Sequence, residues 1–349
     1  MTDPRNDRLS KYKDAPSGRD CRQALERIAS ALREARRVLV TAHVNPDGDA
    51  VGSAAALALA LQSLGKEAEA VFDSPPPAKL LPVLGSGAFA VLEDEAARAR
   101  LVPPDWWVLL DTCEPERAGG LQDRIFALGQ KRACVDHHLS RSPGSFDLSC
   151  VVPEAPSTAN LVLGLIDLLR VKLSRGMAQA LWIGMATDTG WFRYENTSPW
   201  VLEDAARLAE TGIPVPWLYR QVYEEVPASR MRLLGKVLGR IETHFDGALV
   251  LSSTGVKEIQ AEGLTLADLD GVVDHLKSVQ RARFVALIVE TGERAFKLSL
   301  RAQEGCEVES IARKLGGGGH AKAAGCRFSG PYEALHSFLL AEVKAKLRV

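Results

Sequence analysis

"RVLVTAHVNPDGDAVGSAAALALALQSLG", residues 37–65, passes from a short unbroken apolar run, through a turn, into a longer apolar run. A brief run without alternation fits a strand buried on both faces. The strand "RVLVTAH" ends in His43, and Asn45-Pro46 forces the chain to turn. A helix is expected from about Ala50 to Leu64, closed by Gly65. Its run "AAALALALQSLG" is far too short to cross a bilayer and reads as a buried helix.

The same alternation continues outward. "EAEAVFD" from Glu67, "WWVLLD" from Trp106 and "RACVDHH" from Arg132 read as further strands. "DSPPPAKLLPVLGSG" is a turn-rich connection. Upstream, "CRQALERIASALREARR" has helical apolar spacing at Leu25, Ile28 and Leu32, and residues 1–20 read as a flexible tail. Apolar strands alternating with helices indicate a parallel sheet covered on both faces. In such sheets functional groups collect at the carboxyl ends of the strands, where His43, Asp111, Asp136, His137 and His138 fall. Neighbouring side chains of an extended chain point to opposite faces, so His137 and His138 are expected to do different work.

After Pro153 the pattern turns helical in "STANLVLGLIDLLR", "MAQALWIGMATDTG" and "SPWVLEDAARLAETG". A second α/β pattern follows. Its strands are "GALVLSS", "FVALIVETG" and "AFKLSLRA", and its helices are "LADLDGVVDHLKSV" and "EVESIARKL". This predicts a larger domain over 21–225, a helical linker over 226–245 and a smaller α/β domain over 246–349. A length of 349 residues suits two domains, and 46% apolar with 25% charged residues is an ordinary globular balance. A net charge of −1 provides no basic field for long nucleic acid. The six cysteines form no CxxC pair and no signal peptide opens the chain, so a cytoplasmic, reduced setting is expected.

The acids carry the chemistry. Asp47 and Asp49 flank Gly48 in an extended loop, which suits two metal ions each taking one carboxylate; the ordinary alternative is a turn with Asp49 as helix N-cap. Asp111, at a strand end, has two oxygens and would bridge two cations. Asp188, at a helix C-terminus, opposes the macrodipole and calls for an offsetting cation. Two divalent ions would balance these four carboxylates, with His43 and His137 as neutral ligands. An oxygen-rich site with some imidazole suits manganese, magnesium or cobalt better than zinc.

"HVNPDGDAVGS", "LLDTCEPERAG", "VDHHLS" and "ATDTGWF", in this order and spacing, resemble the successive motifs of the DHH phosphoesterases. "KLSLRAQEG" and "LGGGGHAKAAG" resemble the smaller C-terminal domain that accompanies many of them. The subgroup most similar is the NrnA type, acting on short oligoribonucleotides and 3′-phosphoadenosine 5′-phosphate. The resemblance implies a first metal held by His43, Asp47 and Asp111, and a second by Asp49, Asp111, His137 and Asp188. His138 would face the scissile phosphate, with Asp136 supporting the histidines. The resemblance also places the active site in the cleft between the two domains, where Arg301 and His320 would grip the substrate, and Gly317, Gly318 and Gly319 would turn their amides toward an anion. Ala302 stands where the family often has serine. The resemblance implies manganese, short RNA or nucleotide substrates, no membrane association and a homodimer.

Several residues are set aside. "VDHLKS" at Val273 lies in an amphipathic helix, which makes His275 a surface or packing residue. His244 and His336 have no acidic company and are assigned no chemistry. Trp106, Trp107 and Trp182 read as core, while Trp191 and Phe192 would line the site. The competing functions are a linear or cyclic dinucleotide phosphodiesterase, a RecJ-like single-strand DNA exonuclease, a manganese pyrophosphatase and, from another class, a non-catalytic nucleotide sensor. The sensor predicts lost ligands, whereas every matching position is intact.

Overall fold

Strand β1, Arg37–Thr41, sends Val38 and Val40 to one face and Leu39 to the other, and all three are fully buried. That double burial is why the segment reads as unbroken apolar sequence, and it fixes β1 in the middle of a sheet. The computed structural model describes residues 18–84, 89–92, 101–127, 130–138, 143–269, 271–303, 305–319 and 321–347. The chain divides into two compact units, Met1–Glu225 and Val226–Val349.

The first unit opens with α1, Gly18–Glu34, which reaches into the segment expected to be a tail. Beyond β1 come α2, Gly48–Ser63, and β2, Glu67–Phe72. A short helix α3, Leu81–Leu84, leads to β3, Ala90–Val91. Strand β4, Trp106–Leu110, is followed by a 3-10 turn over Pro115–Leu121 and by α4, Gln122–Ile125. Strands β5, Lys131–Asp136, and β6, Leu148–Val151, complete a six-stranded sheet in the order β3-β2-β1-β4-β5-β6, with every pairing parallel. Helices α5, Thr158–Leu168, α6, Arg175–Asp188, α7, Pro199–Ala209, and α8, Val215–Tyr223, follow. One face of the sheet packs on α1, α2, α5 and α6, and the other on the segment from Cys113 to Ile125. The strand order reverses between β1 and β4. Their carboxyl ends diverge there into the crevice where open parallel sheets bind ligands.

Helix α2 is buried almost all round, as its nearly uniform apolar sequence requires. Its partner α6 approaches closely because both present glycine. A Cβ on Gly52 would strike the Ala180 carbonyl oxygen, and one on Gly184 would lie 2.8 Å from Asp49 Oδ1. No helix of the described residues is long and apolar enough to cross a membrane.

The second unit carries α9, Ala228–Leu238, β7, Glu242–His244, β8, Leu249–Gly255, and the short helices α10, Val256–Ala261, and α11, Val272–Leu276. Then come β9, Phe284–Gly292, β10, Ala295–Ala302, α12, Glu309–Lys314, β11, Gly318–Gly319, β12, Ala323–Ser329, and the C-terminal helix α13, Tyr332–Leu347. They form a sheet ordered β11-β12-β10-β9-β8-β7, parallel only at β8/β9. Segment 226–245, read from sequence as a linker, belongs to this unit. Leu233 and Val237 of α9 are fully buried against its sheet, and β7 is that sheet's edge strand.

The expectation of reduced cysteines is corrected at one pair. Cys113, just past β4, and Cys134 on the adjacent β5 form a disulfide with Cα atoms 5.7 Å apart. They are 21 residues apart in sequence; β5 sets Cys134 opposite Leu109 of β4, and the turn past β4 brings Cys113 to it.

The glycine contact between α2 and α6 is testable. Gly52→Ala and Gly184→Ala should each lower stability by about 1–3 kcal/mol through overpacking, read from urea unfolding midpoints at unchanged m-value. Wild-type stability in both variants would refute the close approach.

Candidate metal centre

The centre is assembled at the carboxyl ends of β1, β4 and β5 and the C-terminus of α6. His43 follows β1 by one loop residue. Its Nδ1 lies 2.9 Å from the Val44 carbonyl oxygen and donates to it, which leaves the Nε2 lone pair facing Asp111 Oδ2 at 3.4 Å. Asp111 directly follows β4 with φ 60°, a left-handed conformation that aspartate tolerates better than most residues. Strain of this kind gathers where the surrounding structure holds a side chain for a purpose.

Asp47, not Asp49, is the N-cap of α2, and its Oδ1 accepts the amides of Asp49 and Ala50 at 3.0 and 3.1 Å. The helix therefore begins at Gly48, two residues before the expected start, and Asp49 turns inward from its first turn. Asp49 has no exposed surface. Its Oδ2 accepts the Thr158 amide at 2.6 Å, and its Oδ1 accepts the Ala159 amide at 2.9 Å and the Ser53 hydroxyl at 3.1 Å. The start of α5 thus spends otherwise unpaired amides on a buried carboxylate, which also meets the positive end of the helix dipole. Thr158 reaches further, its hydroxyl donating to Asp111 Oδ1 at 3.0 Å.

The geometry that separates the two histidines of "DHH" differs from the one expected. Strand β5 ends at Asp136, so strand alternation does not extend to the histidines. Their rings lie together, edge to face, with centroids 4.3 Å apart. Different anchors separate them instead. His137 Nδ1 faces the Ala155 carbonyl oxygen at 3.2 Å, which turns Nε2 toward Asp188 Oδ2 at 3.0 Å, Asp111 Oδ1 at 3.5 Å and Asp49 Oδ2 at 3.9 Å. Nε2 is shielded from solvent and has no aligned hydrogen-bond partner. His138 gives both its amide and its Nδ1 to Asp136 Oδ1, at 3.0 and 2.9 Å. Asp136 Oδ2 also accepts the Cys113 amide at 3.0 Å, which braces the β4 and β5 ends together.

The charges are under strain. Burial, and then the charge of Asp188, push the Asp49 carboxyl up to about 7. Burial and the charges of Asp49, Asp47, Asp188 and Asp136 hold Asp111 well above the usual carboxylate range. Burial opposes a charge on His137, but contact with Asp188 and the charges of Asp188 and Asp49 outweigh it and raise the imidazole to about 9. Asp136 behaves differently: burial would raise it, yet the two hydrogen bonds from His138 bring it below the usual range. Three donor sets, His43–Asp47–Asp111, Asp49–His137–Asp188 and Asp111–His137–His138, each have their ligand atoms within 4.8 Å of one another.

Sequence reading overlooked Thr158, Ser53 and the Ala159 amide. The available signal was "PST" before an apolar helical run, a helix start with Ser157 as its N-cap. Trp191 and Phe192 stack with Trp182 and, through Trp191, with Tyr219 and Tyr223 in an aromatic cluster beyond Asp188. Trp107 and Trp182 are buried, as core residues should be.

In the second unit Arg301 Nε lies 3.4 Å from Asp274 Oδ1, and Nη1 donates to the Leu300 carbonyl. With Lys297 and Ser299 it lines a pocket of about 260 Å³. Arg301, Ser299 and Lys297 alternate along β10 and so share one face. The glycine run takes part in backbone pairing. Gly317 donates its amide to the Ala312 carbonyl at the end of α12, and Gly318 and Gly319 form strand β11 against β12. His320 lies outside the described residues. His275 is exposed. His244 and His336, set aside as lacking acidic company, both lie beside Glu242.

The sheet order, the donor set and the accompanying second unit define a two-domain α/β protein with an acid- and imidazole-rich centre. Residues 37–185 match the DHH family, N-terminal domain, and residues 250–348 match the DHHA1 domain. The bifunctional oligoribonuclease and PAP phosphatase NrnA of Thermus thermophilus is 35% identical, covering 84% of this chain and 84% of its own. The protein of that name from Bacillus subtilis is 27% identical over 82% of this chain and 88% of its own. The crystal structure of an exopolyphosphatase-related protein from Bacteroides fragilis superposes with a TM-score of 0.86 at 27% identity, covering 93% of this chain and 97% of that one. The chain belongs to the DHH family.

Thr158 offers a direct test of how the centre is held. Thr158→Val keeps shape but removes the hydroxyl bond to Asp111, and should weaken metal-dependent activity roughly 10–100-fold, as loss of groups that orient ligands does. A metal titration of activity checks this, and an unchanged half-saturation and maximum would show that Thr158 does not position Asp111.

Proposed function

We propose that this chain is a two-metal phosphoesterase that hydrolyses short oligoribonucleotides to mononucleotides and 3′-phosphoadenosine 5′-phosphate to AMP. One observation carries the reading. The two oxygens of Asp111 face different imidazoles, Oδ2 toward His43 and Oδ1 toward His137, so a single carboxylate joins the two donor sets.

The residues fit a pair of divalent cations. Buried carboxylates repel one another, and His137 Nε2 is a shielded ring nitrogen without an aligned partner. Positive charge at this point answers both. His43, Asp47 and Asp111 would hold one ion, and Asp49, Asp111, His137 and Asp188 the other. Manganese suits this mixture of oxygen and imidazole donors, with magnesium and cobalt as alternatives. Bound there, the ions would supply charge for the phosphate oxygens and activation of a water.

The chain's own residues do the rest. The backbone carbonyls of Val44 and Ala155 fix the tautomers of His43 and His137, so both present Nε2. Asp136 holds His138 by Nδ1, and the ring so anchored would face the scissile phosphate, to stabilise its charge or help the departing oxygen leave. Arg301, with Lys297 and Ser299 beside it, would grip a phosphate, and His320 would join it. The amides of Gly318 and Gly319 would serve only where strand pairing leaves them free. The DHH family membership and the NrnA-named relatives support this substrate class. A cytoplasmic setting and a homodimer are further parts of the same proposal.

A manganese-supplemented panel tests the substrate class: di- to pentaribonucleotides, 3′-phosphoadenosine 5′-phosphate, linear and cyclic dinucleotides, and longer single-stranded DNA. Turnover should be confined to the short ribonucleotides, linear dinucleotides among them, and the bisphosphate. Turnover of long DNA or cyclic dinucleotides alone would reject it. Asp111→Ala should abolish hydrolysis with an unchanged far-UV circular dichroism spectrum, and normal turnover in that folded variant would end the two-metal mechanism. Arg301→Ala should raise KM roughly tenfold or more, the worth of one charged hydrogen bond, with a smaller change in kcat. An unchanged KM would remove Arg301 from substrate binding.

A further inference from the structure

We infer that Glu242, His244 and His336 form a separate zinc-class metal site that ties the edge strand of the second unit to its C-terminal helix. The argument begins with strand geometry. Glu242 and His244 are two residues apart on β7 and pair with Leu251 and Leu249 of β8. Both leucines belong to the core that α13 covers, so both β7 side chains face α13. His336, in the first turns of α13, meets them there.

The donor atoms converge as coordination requires. His336 Nε2 lies 3.3 Å and His244 Nε2 3.6 Å from the same atom, Glu242 Oε2, and one ligand atom from each residue lies within 4.8 Å of the others. Ligands of a tetrahedral ion stand apart by about 1.6 times the bond length, or roughly 3.3–3.4 Å for zinc–nitrogen bonds of about 2.0–2.1 Å. The rings are set edge to face, with centroids 5.5 Å apart, so neither blocks the other's nitrogen.

A plain histidine–glutamate contact explains less. His244 Nε2 is shielded from solvent and has no hydrogen-bond partner, and at 3.6 Å it is outside hydrogen-bonding distance of the carboxylate. A cation placed between the three atoms satisfies all of them at once. Glu242 is half exposed, so water can reach the three donors from its side. Two imidazoles and one carboxylate favour zinc over manganese or magnesium. The site thus differs in preference from the acid-rich centre of the first unit.

The test uses the full-length chain with manganese in excess to occupy the acid-rich centre, and zinc as the added probe. Equilibrium dialysis counts zinc per chain in the wild type and in His244→Gln, His336→Gln and Glu242→Gln. The wild type should retain one zinc more per chain than either histidine variant, and Glu242→Gln should bind it at least tenfold more weakly. Zinc should also raise the Tm of the wild type and not that of the histidine variants. Equal zinc content and affinity across all four proteins would overturn the site. Glu242→Gln is isosteric and half exposed, so its folded state provides the decisive comparison if a histidine variant misfolds. Manganese-dependent turnover equal to wild type in Glu242→Gln shows that the lost zinc did not come from the first unit; loss of that turnover would overturn the assignment to a separate site.

Discussion

Asp49 is an acid with no access to water, and the first unit is arranged around keeping it there. Its two oxygens consume the first amides of α5, a hydroxyl from its own helix, and the close face of α6 at Gly184. Each of these elements would otherwise carry a fault: unpaired amides at a helix start, a buried serine, a gap between helices. Joined at one carboxylate, they become mutual support. The same joint sets the distance from Asp49 to Asp111 through Thr158, which bonds both. Helix packing and the spacing of the donor atoms are therefore one constraint.

Much of this was legible in the sequence because each signal was local. Apolar strands without alternation, helices between them, and acids at strand ends give a doubly covered parallel sheet and the rim where its chemistry gathers. What was hidden depended on register or on another element. Thr158 looks like an ordinary helix residue until α5 is laid against Asp49. Cys113 and Cys134 become partners only through the pairing of β4 with β5. Glu242, two residues before His244, had no visible purpose without α13 above it.

The histidine pair shows a premise drawn from strand geometry that does not apply. Alternation would have parted His137 from His138, but β5 stops one residue too early. Hydrogen bonding at Nδ1 parts them instead: the Ala155 carbonyl for one ring, the Asp136 carboxylate for the other. The Ala155 carbonyl turns His137 Nε2 toward Asp188 and Asp111. The Asp136 carboxylate instead holds His138 at Nδ1 and at its amide. The glycine run also has a structural use that its composition does not announce, since it ends α12 and starts β11.

The glycine at position 184 has a wider consequence. On the α6 side of Asp49 the wall is bare backbone, with no side chain to exchange for a larger or smaller one. The depth of the centre is thus closed to gradual adjustment from that side. A change of substrate in this architecture is more readily made through the loops at the sheet's rim. A lineage can then exchange one phosphoester for another while the acids and imidazoles stay where they are.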